Sequence, residues 1–122
     1  MDPIKVSVKD TVVINSPGSN ASLDELLLHI SKHIDLWHDS NVIWDMRDFN
    51  FQNINLEDLK QFLENSREVS KRRIGKKTAI LVGDDFGYEM MLAFSEVAQE
   101  YYQFLIKPFK DLKDAEEWGE GN

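Results

Sequence analysis

The two runs Val42-Ile43-Trp44-Asp45-Met46 and Thr78-Ala79-Ile80-Leu81-Val82-Gly83 constrain this chain more than anything else in it. A strand with one wet face alternates apolar and polar residues. Nearly continuous apolar runs of this length belong to strands covered on both faces, as in a parallel sheet between helices. Parallel neighbours need long crossovers, so the segments around these runs are read as helices.

The spacing agrees. Leu23, Leu26, Leu27, Ile30, Ile34 and Trp37 recur every three or four residues as one helical stripe, and Ser22-Leu23-Asp24-Glu25 is a capping box that starts it. Asn55 caps a second helix carrying Leu56, Leu59, Phe62, Leu63 and Val69, which Gly75 stops. After Asp84-Asp85, a third carries Met90, Met91, Phe94, Val97 and Tyr101 on one side. Phe104-Leu105-Ile106-Lys107 reads as the last strand, ended by Pro108, which has no N–H to donate. Asp111 then begins a short closing helix with Leu112, Ala115 and Trp118 facing inward.

At the front, Ile4 to Val8 and Thr11 to Ile14 are β-branched runs joined by Lys9-Asp10, the short connection of a hairpin, and Ser16-Pro17-Gly18-Ser19-Asn20 breaks the pattern. The order is ββαβαβαβα. It predicts an α/β fold, a mostly parallel sheet covered by helices, as one domain over residues 1–122.

Composition narrows the function classes. With no cysteine, disulfides and thiolate metal sites are excluded. The start, Met1-Asp2-Pro3-Ile4-Lys5, has no basic-then-apolar signal pattern, and no apolar run reaches the 18 or so residues of a membrane span, so the expected location is the cytoplasm. A formal charge of −8 repels a phosphate backbone and argues against nucleic acid. Arg67, Lys71, Arg72, Arg73, Lys76 and Lys77 nevertheless form one basic corner, read as a solvated helix end or a receptor for an acidic group.

No catalytic machinery is evident. Gly18, Gly83 and Gly87 are isolated, so no glycine-rich loop cradles a pyrophosphate, and there is no G-x-S-x-G elbow. His29 and His33 stand i, i+4 on the first helix without a nominated third ligand, and are read as boundary histidines; no metal or other cofactor is expected. Asp45, Asp48, Asp84 and Asp85 follow the C-terminal ends of two successive strands, the side where open α/β sheets bind ligands. Caps, turns and a pair with Arg47 are their other employment. The Met90, Met91, Phe94 and Tyr101 stripe, with Phe86 and Tyr88, is core packing or the lining of an adaptable apolar pocket.

Three segments carry a family resemblance: Val42-Ile43-Trp44-Asp45-Met46-Arg47-Asp48-Phe49, Gly75 to Asp84, and Phe109-Lys110-Asp111-Leu112-Lys113-Asp114-Ala115-Glu116-Glu117-Trp118. Together they resemble the SpoIIAA-like branch of the STAS domains, which implies a STAS-type sheet and a regulatory or binding role without catalysis, with apolar or lipid-like ligands among the candidates. The anti-sigma-factor antagonists of that fold carry a phosphorylatable serine after the third strand. The matching segment here, Asp48 to Asn55, holds no hydroxyl, so the switch serine is missing. Asp45 and Lys107-Pro108-Phe109 also resemble the phospho-acceptor and lysine of a response-regulator receiver, the alternative reading, although no acidic pair follows the first strands.

The expectation is therefore a non-catalytic module binding a protein partner or a small apolar ligand, with a homodimer as a third arrangement. The expected site is the pair of loops after Met46 and Gly83: Asp45, Arg47, Asp48, Phe49, Phe51, Asn53, Asp84, Asp85 and Phe86, with the three phenylalanines as exposed aromatics.

Overall fold

Sequential β-branched runs joined by a tight connection pair with each other first, and the chain does open as a hairpin. A computed structural model describes residues 4–9, 11–37, 39–52 and 54–120; Asp10, of the expected hairpin connection, and Asn53 lie outside the described residues. Strand β1 (Ile4–Lys9) pairs antiparallel with β2 (Val12–Pro17). Then β3 (Asn41–Asp45), β4 (Lys77–Leu81) and β5 (Leu105–Phe109) add in parallel, one after another, giving a five-stranded sheet in the order β1-β2-β3-β4-β5.

The crossovers are α1 (Leu23–Trp37), α2 (Leu56–Ser70) and α3 (Asp85–Ala98); α4 (Leu112–Glu120) follows β5. Each crossover steps one strand in the same direction. Because strand–helix–strand units are right-handed, repeated steps in one direction place every crossover helix on one face. Leu26 of α1, Leu59 and Leu63 of α2, and Met91 and Phe94 of α3 accordingly share one apolar cluster with Ile80 and Val82 of the β4 segment. The opposite face is left to α4, whose Ala115 packs with Val12, Ile43, Ala79 and Leu81.

Alternation along β4 shows why the apolar run is unbroken. Ala79 and Leu81 point to α4, Ile80 and Val82 to the three-helix layer, and all four are buried. The closing helix is pinned to the sheet by polar contacts at its end: Lys77 Nζ donates to the Trp118 carbonyl at 3.0 Å and lies over the Trp118 ring, and Asn41 Nδ2 donates to the Gly119 carbonyl.

Helix starts follow the capping logic. Glu25 N–H donates to Ser22 Oγ while Ser22 N–H donates to Glu25 Oε1, and Asn55 and Asp58 form the same reciprocal box on α2. Asp111 Oδ1 accepts from Asp114 N–H at the head of α4. After α2 a 3-10 turn, Lys71–Arg73, leads to Gly75, whose φ of +78° is the left-handed conformation that a Cβ disfavours.

Two expectations about proline are corrected. Pro108 does not end β5; it sits inside it, paired with Ile80. Leu105 N–H donates to Lys76 O and Val82 N–H donates to Phe109 O, so odd positions of β5 bond inward and the nitrogen of Pro108 faces the open edge, where no donor is needed. Gln99 covers part of that edge: its Nε2 donates to Phe104 O and its Oε1 accepts from Ile106 N–H. Pro17 likewise lies at the end of β2 rather than beyond it. Leu56 and Val97, assigned to buried stripes by spacing, are exposed, because the sheet covers a narrower arc of α2 and α3 than the apolar residues span.

Candidate functional site

The loop from Met46 to Asn55 carries most of the expected site residues, and its aromatics do not face water. Phe49 and Phe51 are each only 7% exposed, while Phe86 is 52% exposed. The correction has a local cause. Phe49 N–H donates to Met46 O and Ile54 N–H to Phe51 O, so the loop folds back twice and stacks the two rings edge-to-face, centroids 5.1 Å apart, on the three-helix layer. Phe51 also packs on Gly87, where an added Cβ would stand 3.4 Å from the ring.

The four aspartates take separate posts. Asp45 is chelated by its neighbour: Arg47 Nε donates to Oδ1 at 2.9 Å, Nη2 to Oδ2 at 2.8 Å, and the Arg47 N–H to Oδ1 at 3.2 Å. These hydrogen bonds hold its carboxyl below the usual carboxylate range. Asp84 caps α3 by accepting from Gly87 N–H at 2.7 Å, Asp85 pairs with Lys110 at the surface, and Asp48 is exposed. Lys107 Nζ lies over the Phe109 ring, and no hydrogen bond or ion pair joins Asp45, Asp84 and Lys107.

The Asp45–Arg47 clasp gives a checkable pH signature. A carboxyl held below its unfolded pKa stabilises the fold above that pKa, and the contribution is lost as pH falls through the depressed folded value. Asp45→Asn is expected to lower the unfolding free energy at pH 7 by about 0.5–1 kcal/mol, since Arg47 is half exposed and screened. In urea titrations the gap between variant and wild type should close as pH falls below about 4. A gap that is constant down to pH 2 would show that the charge is irrelevant.

Beneath the loop, between the sheet and the crossover helices, lies an apolar cavity of about 100 Å³. Its walls include Leu26, Ile34 and Trp37 of α1, Leu59 of α2, Met91 and Phe94 of α3, Trp44 and Ile80 of the sheet, and Phe49 and Phe51 of the loop. The cause is legible in side-chain size. Ser66 and Ser70 of α2 and Thr78 of β4, all buried, line the cavity where larger apolar residues would close the space. A broader polar groove of about 510 Å³ adjoins it between the N-terminal halves of α1 and α2, and Leu23, Phe49, Ile54 and Phe62 line both. Those four side chains stand between the inner space and the outer groove.

The polar wall of the cavity was not anticipated. Ser66 Oγ donates to Phe62 O at 2.7 Å, which leaves it to accept from the Tyr102 phenol, and burial pushes that phenol up to about 12. Arg73, placed by its sequence neighbours in a solvated corner, is 4% exposed and lines the cavity. A signal for this exists: Leu59, Leu63, Ser66, Ser70 and Arg73 continue one stripe at alternating spacings of four and three, so Arg73 occupies the buried face although it is surrounded by exposed Lys71 and Arg72.

His29 is also interior rather than at the boundary. Its Nε2 is 2.9 Å from Asn15 Oδ1, and its ring stacks on His33 at 4.2 Å. Among the described residues no three His, Asp or Glu side chains converge as a metal site, and no helix is long and apolar enough to cross a membrane. Of the expected site residues, the cavity gathers Phe49 and Phe51; Asp45, Arg47, Asp48, Asp84, Asp85 and Phe86 line neither concavity, and Asn53 lies outside the described residues. No family model matches the chain, and it has no match among the curated proteins or the solved structures.

Proposed function

We propose that this protein is a non-catalytic binding module of the SpoIIAA-like STAS type whose ligand is a small, largely apolar molecule held between the sheet and the crossover helices. The cavity carries the reading. Protein interiors are packed like organic crystals, and voids larger than a water are few. One of about 100 Å³ in a chain of 122 residues is space for on the order of seven to ten non-hydrogen atoms. Keeping it open costs dispersion contacts along its whole lining, which a bound ligand restores. Its aromatic and methionine walls suit an apolar body, and the partition of Leu23, Phe49, Ile54 and Phe62 offers an entrance from the outer groove. The ββαβαβαβα order and the β3 and β4 segments support the STAS assignment.

The test is thermal unfolding with two neutral probes, octan-1-ol and indole. Ligands of this size reach sub-millimolar affinity at ordinary efficiencies per atom. At tenfold excess over Kd, either probe is expected to stabilise the fold by about 1.4 kcal/mol and raise Tm by about 5 °C. If neither shifts Tm up to its solubility limit, the cavity is not a binding site and the reading fails.

A further inference from the structure

Arg73 is a buried cation without a counter-ion. It is 4% exposed, and no carboxylate is paired with it among the described residues. Its contacts are neutral: Nη1 donates to Thr78 Oγ1 at 2.6 Å, and Nη2 donates to the carbonyls of Ser40 and Lys77, both at 3.0 Å. A guanidinium has five N–H donors, so these bonds leave two uncommitted, and the Nε–H has no partner at all. The Phe104 ring beneath, 4.8 Å away, offers a cation–π contact but no charge.

Such a group is costly. Moving a charged side chain out of water is offset only by a well-placed opposite charge, and arginines that are fully buried are normally paired. Burial lowers the guanidinium to about 10, which still leaves it protonated at neutral pH. A cation that stays charged, lacks an acidic partner among the described residues, and lines a cavity open to a small molecule calls for an anion.

We infer that the ligand is a small amphiphilic carboxylate, its apolar body in the cavity between Ile80, Leu59 and Met91 and its carboxylate on Arg73. This inference rests on the cavity being a ligand site and adds the chemical class of what enters it. Carboxylate fits better than a bulkier, doubly charged phosphate, because only two N–H donors are free and the surrounding wall is Ser70, Thr78 and carbonyl oxygens already engaged. Half-buried Lys76 adds positive charge at this corner, which favours arrival of an anion, while exposed Lys71 and Arg72 are paired with Glu68 and Asp35.

The experiment compares octanoate with octan-1-ol by calorimetry on the intact protein, at 0.05 and 0.5 M NaCl. Octanoate is expected to bind at least tenfold more tightly than octan-1-ol, and the preference should survive high salt, because the pair is shielded from the ionic atmosphere. Arg73→Met should abolish the preference while octan-1-ol still binds; Arg73→Lys, which keeps the charge, serves if the methionine variant does not fold, and should retain part of it. If octan-1-ol binds as well as octanoate, the inference is overturned and the apolar-ligand reading stands. A preference that disappears at 0.5 M salt assigns the carboxylate to the exposed lysines and overturns it too. Failure of both probes to bind removes the reading beneath it.

Discussion

Leu81→Ala is expected to lower the free energy of unfolding by about 3 kcal/mol and Tm by about 10 °C, measured by urea titration and thermal melting. Leu81 is fully buried in the thinner of the two layers, where Ile43, Ala79 and Ala115 of a nine-residue helix are its neighbours. That layer has little means of collapsing around a deletion, because α4 is held at its end by Lys77 and Asn41. Against a total stability of about 5–15 kcal/mol for a domain of this kind, the loss is large. A change below about 1 kcal/mol would show that α4 is not packed on the sheet as described.

One residue earlier the expected result is opposite in kind. Ile80 points into the layer that already holds the cavity, so Ile80→Phe places three additional carbons in empty space on a strand that tolerates aromatic residues. Binding of octan-1-ol should weaken at least tenfold, with the unfolding free energy unchanged or raised by about 1 kcal/mol. In a close-packed core the same enlargement costs about 1–3 kcal/mol. A destabilisation of that size, with binding intact, would place the free volume elsewhere. Adjacent positions on one strand thus report on the two faces of the sheet separately.

The site readings show where local chemistry suffices. Asp84 and Asn55 cap their helices and Asp45 clasps Arg47, each within three residues in sequence, so geometry over a single turn decides them. A loop composition of Asp, Asn and Gln suggests exposure for Phe49 and Phe51, and the fold buries both. Burial of those rings depends on Leu59 and Gly87, which come from two different helices, α2 and α3. Arg73 was hidden by averaging over its basic neighbours: charge along a segment says nothing about which face of a helix each residue occupies.

By itself the sequence determined the element order, the helix starts, and the doubly covered status of β3 and β4, because periodicity and capping are properties of neighbours a few residues apart. The placement of all three crossover helices on one face followed from chirality, which is the same for every L-chain, once each crossover steps in the same direction. Tertiary structure alone decided that Pro108 could lie inside β5, since only the sheet's edge excuses a missing donor. It alone decided that Ser66, Ser70 and Thr78 line a common space of which about 100 Å³ stays unfilled. A void is a property of side chains far apart in the chain that fail to fill a common space, so no segment of the sequence, read alone, contains it.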